Sequence, residues 1–323
     1  MLALYLSSKI LYQNETVVFK YIPCCAEIDS IHRFLYIYII TLYGKGEYTV
    51  IKKLYPNGRK KAFNITYDDG VTQDIRFVQL LNRYGIRGTF NLNSQLMAEQ
   101  FEWQHEKGPV IKRLPAHTAR ELYKNHEVAS HTLTHPYMQD MSREDIMYQL
   151  GQDKYNLEQL FGRQVSGFAV PFSYYSPLIA QCAKDCGFEY ARCSEERYSY
   201  TPPQDYYWWA AGAFHLNPQW LQFAENFFTT DTELALCQIV GHSYDLDTED
   251  MWDTVEKLLQ KVSRAEDVIS MTNIEIVRYL KAMDSAVLSE EGIENNSDTE
   301  LWFEACGETV MVPPRTRYFY RKI

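Results

Sequence analysis

Glycine is scarce in this sequence, with 15 residues in 323 against 25 tyrosines, and basic residues are in deficit. Too little glycine, with no short repeat, excludes a collagen-like fibre. The charge sum is 32 − 42 = −10, so the chain lacks the field that draws nucleic acid or an anionic membrane face, and neutral or cationic ligands fit better. No nucleic-acid partner is expected. Long apolar runs are missing too. FLYIYIITLY at 34–43 is ten residues, too short to span a bilayer, and reads as a buried strand or an ordering hairpin. The seven cysteines are odd in number, lack any CxxC pair and form no disulfide framework. Cys182, Cys186 and Cys193 invite a zinc reading, but two of them fall in a helical stretch; they read as small buried hydrophobes in a reducing compartment. No Lys or Arg precedes the apolar MLALYL start and no cleavage site is evident, so a cytoplasmic location is expected, with secretion left open.

What is present is an ordinary globular balance, 46% hydrophobic and 23% charged, which rules out wholesale disorder. The aromatic share of 15% hints at a surface that stacks on sugar rings. From residue 60 onward short apolar runs alternate with amphipathic stretches. FNITYDD (63–69), GTFNLN (88–93), EVASH (127–131), GFAVP (167–171), FEYARC (188–193), LALCQIV (234–240) and DVISMT (267–272) read as strands. Between them, helices are expected from a Thr72 cap to about Arg83, over 118–124, from a Ser142 cap to about Phe161, and over 177–186, 249–262 and 273–282. The first of these should bury Ile75, Val78 and Leu81. About seven strand–helix units imply right-handed crossovers and a parallel sheet closed, or nearly closed, into an α/β barrel. Residues 46–284 would form the barrel, 1–45 an N-terminal extension of unknown role, and 285–323 an acidic linker with a short strand-like tail. The oligomeric state is unreadable.

The polar residues of interest, Asp68, Asp69, His131, Pro171 and His242, all fall at C-terminal ends of predicted strands, the end that carries active sites in α/β barrels. Two adjacent carboxylates repel unless a cation or shared proton relieves them. His131 and His135, four residues apart, have a spacing that suits one metal ion. Asp69, His131 and His135 would hold one divalent metal and leave a position open for water or substrate. Two imidazoles and a carboxylate favour zinc, with cobalt, nickel or manganese able to serve. Asp68 would act as general base and His242, whose ordinary pKa lies near neutrality, as general acid. A backbone N–H near Tyr174 would steady the oxyanion.

TYDDG (66–70), HTLTH (131–135), FAVPF (168–172) and IVGH (239–242) resemble, in order and approximate spacing, the motifs of the polysaccharide deacetylases, carbohydrate esterase family 4, over residues 60–280. The resemblance implies a distorted (β/α) barrel of deacetylase type and a metal-dependent hydrolase that removes an N- or O-acetyl group from a sugar. It matches Asp68 to the base, Asp69, His131 and His135 to the metal ligands, and His242 to the acid. It also places Pro171, Phe172 and Tyr174 at the carbohydrate, with Asp205 and Trp208 or Trp209 as an approximate wall. Ala169 stands where many members carry an Arg that braces the catalytic Asp. An amidohydrolase of a non-carbohydrate amide on the same fold, or a non-catalytic carbohydrate-binding protein, are the alternatives.

Overall fold

A computed structural model describes residues 39–41, 48–98 and 100–320. The MLALYL start and most of the 1–45 extension lie outside the described residues. Of the apolar run at 34–43 only Ile39–Thr41 is described, a strand antiparallel to Tyr48–Val50.

Nine parallel strands build the central sheet: β1 (Lys61–Asp68), β2 (Thr89–Leu92), β3 (Glu127–Ser130), β4 (Gly167–Ala169), β5 (Tyr190–Glu196), β6 (Trp209–Ala211), β7 (Ala213–Phe214), β8 (Ala235–Gly241) and β9 (Val268–Ser270). Their order is β6-β5-β4-β3-β2-β1-β8-β7, and β9 pairs with the first half of β1 where β2 takes the second half. The two ends of this path, β6 and β7, are consecutive in sequence and separated only by Gly212. The barrel is thus nearly closed, through one segment that pairs with β5 on one side and β8 on the other. Glycine is needed at that switch, because a Cβ on Gly212 would lie 2.4 Å from the Gln238 carbonyl oxygen.

Among the described residues eight α-helices complete the units: α1 (Asp74–Arg83), α2 (Ala116–Leu122), α3 (Arg143–Phe161), α4 (Pro177–Asp185), α5 (Trp220–Asn226), α6 (Asp245–Thr248), α7 (Trp252–Arg264) and α8 (Asn273–Asp284). Ser142 caps α3 as expected, its side chain accepting from the Asp145 N–H. Thr72 does not cap α1; its hydroxyl donates to Gln73 and the helix begins at Asp74. That start turns Phe77, Val78, Leu80 and Leu81 inward and leaves Ile75 exposed. No helix among the described residues is long and apolar enough to cross a membrane.

The stretch after residue 285, expected as a linker with a strand-like tail, folds into two small antiparallel sheets. One joins Glu308–Val312, Leu301–Ala305 and Lys52–Leu54; the other joins Val287–Leu288, Gly292–Glu294 and Arg317–Phe319. Alternation in LWFEA buries Leu301, Phe303 and Ala305, which pack with α8 residues Ile276, Val277 and Leu280 in a second core cluster. Within the acidic stretch read as linker, Gly292–Glu294 is itself a strand of the second sheet.

Candidate active site

Strand ends place the site. Asp68 is the last residue of β1, His131 follows β3, and His242 follows β8, so parallel strands of one sheet, with β2 between β3 and β1, deliver them to one mouth. The turns that follow are bent tightly: Asp69, Thr132, His135 and Phe172 all have left-handed backbone, with φ of 85°, 69°, 57° and 56°. Side chains rarely adopt that region, and its clustering here marks a site whose geometry is fixed by its surroundings.

One oxygen of Asp69 and one ring nitrogen each of His131 and His135 lie within 4.8 Å of one another, the sole such convergence of His, Cys, Asp and Glu among the described residues. The donor set fits a divalent cation. The Nδ1 of His131 is 2.8 Å from the Ala169 carbonyl oxygen, to which it donates, so Nε2 carries the free lone pair. Burial lowers the His131 pKa to about 4 and lowers that of His135, so both rings are neutral ligands. The Oδ1 of Asp69 is buried and makes no hydrogen bond, although His135 Nε2 stands 3.5 Å away. Among the described residues the cysteines form no such group. Cys186 packs on Met147, and Cys193 lies against the Trp209 carbonyl.

Each carboxylate of the pair has its own arginine. Nη2 of Arg192 donates to Asp68 Oδ1 at 2.5 Å and Oδ2 at 2.7 Å, and Asn91 Nδ2 adds 2.7 Å to Oδ1. Burial would raise the Asp68 pKa, but Arg192, with His131 and His242, holds it below the usual range. Asp69 is likewise held ionised against its burial by Arg113, whose Nη1 lies 3.0 Å from Oδ1, and by the nearby histidines. The repulsion expected of adjacent carboxylates is therefore already relieved by protein cations.

Arg192 answers the absence at Ala169. The two residues are register partners on adjacent strands β4 and β5, so the brace reaches Asp68 from one strand further along the sheet. An arginine between Ala191 and Cys193, inside the strand read at FEYARC, was its signal in the sequence. Asp245 is another residue the sequence reading missed, at i+3 from His242. Its Oδ2 accepts from His242 Nδ1 at 3.0 Å and is 2.9 Å from His215 Nε2, and His215 Nδ1 in turn meets the Tyr67 hydroxyl at 2.8 Å. Burial would lower the His242 pKa, but Asp245, Asp69 and Asp68 raise it to about 9, so the ring is protonated at neutral pH.

The expected wall does not reach this mouth. Trp209 opens β6 and turns into the second core cluster, 5.6 Å from the Tyr190 ring. Trp208 packs edge-on against Tyr175, and exposed Asp205 accepts from the Tyr207 N–H. The ring flanking His242 is instead Tyr244, stacked on it at 4.8 Å and touched at 5.5 Å by Trp103, which comes from the hairpin Glu102–Gln104 and Val110–Lys112. Across the mouth, exposed Phe172 lies 4.6 Å from the His135 ring and 5.8 Å from Tyr137. Tyr137 is 6.1 Å from half-buried Tyr174, and Pro171 is buried at the end of β4.

Comparison with known proteins agrees with this architecture. Residues 56–191 match the family model "Polysaccharide deacetylase". A polysaccharide deacetylase structure from Mycobacterium smegmatis is similar in fold, with TM-score 0.51 and 12% identity over 72% of this chain and 94% of that one. The carbohydrate esterase 4 domain of a multidomain xylanase from the hindgut metagenome of Trinervitermes trinervoides aligns at TM-score 0.47 and 16% identity, over 69% of this chain and 92% of that one. A family 4 pseudoenzyme from Bacillus anthracis aligns at TM-score 0.43 and 16% identity, over 70% and 68%. No curated protein sequence matches the chain. Residues 56–191, which resemble a polysaccharide deacetylase, thus make up much of a nearly closed parallel barrel.

Proposed function

We propose that the chain is a metal-dependent hydrolase that removes an acetyl group from an N- or O-acetylated sugar. The observation that carries this reading is the meeting, in one mouth, of an ionised Asp68, a protonated His242 and the three converging donors of Asp69, His131 and His135. Bound by those three residues, a divalent cation, best zinc for this donor set, would polarise the acyl carbonyl and make water more acidic. Asp68 takes the proton of the attacking water; Arg192 and Asn91 keep the carboxylate oriented and ionised. His242, protonated and aimed by Asp245, gives its proton to the departing amine or alcohol. Phe172, exposed beside His135 with Tyr137 behind it, offers an apolar face on which a pyranose ring can lie, which favours a sugar over a small non-carbohydrate amide.

The test is acetate release from N-acetylglucosamine oligomers by chelator-treated protein with zinc, cobalt or manganese added back. Release that requires the cation and falls at least about 100-fold in Asp68→Asn supports the reading. One bound cation without release would favour a different amide or a binding role. No cation bound would end the metal-dependent reading.

A further inference from the structure

The hairpin Glu102–Gln104 and Val110–Lys112 ends on Arg113, whose side chain is only 8% exposed. Its Nη1 lies 3.0 Å from Asp69 Oδ1, the same oxygen that faces His135 Nε2 at 3.5 Å and has no hydrogen bond of its own. Arg113 also donates to the Asp69 carbonyl and to Asn93 Oδ1 at 3.0 Å. Asn93 Nδ2 then donates to the His131 and Thr132 carbonyls. Trp103 lies against the guanidinium at 5.1 Å and closes it off. One arginine thus ties directly to the carboxylate donor and, through Asn93, to the loop that carries the first imidazole.

We propose that Arg113 sets the cation affinity of the Asp69–His131–His135 site, bracing Asp69 and the loop of His131 while making any divalent cation weakly held and exchangeable. The inference rests on the reading of that triad as a metal site. A guanidinium cannot shed its charge at any working pH, and it occupies the flank of the donor oxygen that a cation must share. Two positive charges on one buried carboxylate repel with little solvent screening. Against that stand Arg113's hydrogen bonds, which aid ordering of the donors but are individually modest. Repulsion is the larger effect, so neutralising Arg113 tightens binding even though it loosens the scaffold.

The test is zinc binding to the metal-stripped full chain, read as a dissociation constant by competition with a chromophoric chelator, for wild type, Arg113→Gln and Arg113→Lys. Arg113→Gln should bind zinc at least about tenfold tighter and release it more slowly, while Arg113→Lys, which keeps the charge, should stay within about threefold of wild type or bind more weakly. Arg113→Met serves the same purpose if the Gln chain does not fold. Equal or weaker binding in the neutral variants overturns it and leaves the deacetylase reading standing. No zinc bound by any of these chains overturns both.

Discussion

Buried carboxylates at the mouth of the barrel and those elsewhere in it face opposite kinds of partner. At the mouth Asp68 meets Arg192, Asp69 meets Arg113, and Asp245 meets two histidines. At the opposite end Glu127, first residue of β3, accepts from the Thr89 and Tyr190 hydroxyls at 2.8 Å and the Ile274 N–H at 2.9 Å. On the helices, Asp74 accepts from Tyr123 and Ser243, and Asp153 from Ser94 and Ser130. Burial pushes all six upward, yet only the second group follows, each to about 7, because hydroxyls and amides offset less of the desolvation than a full charge does. The mouth carboxylates are lowered, Asp245 to about 2. All six are buried carboxylates, so the partner is what separates a carboxylate kept ready for chemistry from one that anchors structure.

The largest effect should come from removing a cation at the mouth. Arg192→Met leaves Asp68 buried and unpaired, and should lower acetate release by at least about 100-fold and cost about 3–5 kcal/mol of stability, read by urea unfolding at pH 7. Adding Ala169→Arg to that variant returns a guanidinium to the register partner of position 192 and should recover part of both losses. A variant as active and stable as wild type would deny Arg192 its role. Asp245→Asn should cost less, about tenfold in release, since Asp69 still faces His242 at 3.8 Å. Loss as deep as that of Arg192→Met would make Asp245 more than an orienting partner.

The barrel and its mouth were legible in the sequence because strand ends are periodic landmarks. Asp68, Asp69, His131 and His242 each close an apolar run, His135 follows His131 by four residues, and parallel topology gathers such ends at one face. What escaped depends on register between strands or on insertions. Arg192 sits beside Ala169 only because β5 pairs with β4 in that register, which no local pattern states. Arg113 and Trp103 reach the mouth on a hairpin inside a stretch without strong periodicity. Trp208 and Trp209 were placed by motif analogy, and the short strands β6 and β7, which close the barrel, turn Trp209 into the core instead. In the tail LWFEA reads as a strand, but its pairing with Lys52–Leu54, far earlier in the chain, is a register that no local pattern states.

The smallest effect, and the one that isolates the comparison from catalysis, lies at Glu127. Its carboxyl binds its proton more tightly when folded, at about 7 against the ordinary 4.5, mainly through burial. Between those values the native state holds a proton that the unfolded chain has lost, so stability falls as pH rises through that window and is flat above it. About 2.5 pH units of difference corresponds to roughly 3 kcal/mol. Gln at this position is similar in shape and does not titrate. The stability of wild type minus that of Glu127→Gln, from urea unfolding at pH 4.5 and pH 8, should therefore drop by roughly that amount as pH rises, with acetate release at the distant mouth unchanged. Taking the difference between the two chains removes the parallel contributions of Asp74 and Asp153, which are common to both. A difference that does not vary with pH would mean that the hydroxyls of Thr89 and Tyr190 and the N–H of Ile274 stabilise the Glu127 carboxylate as well as Arg192 stabilises Asp68. In that case the division between anchoring and reactive carboxylates would rest on something other than the charge of the partner.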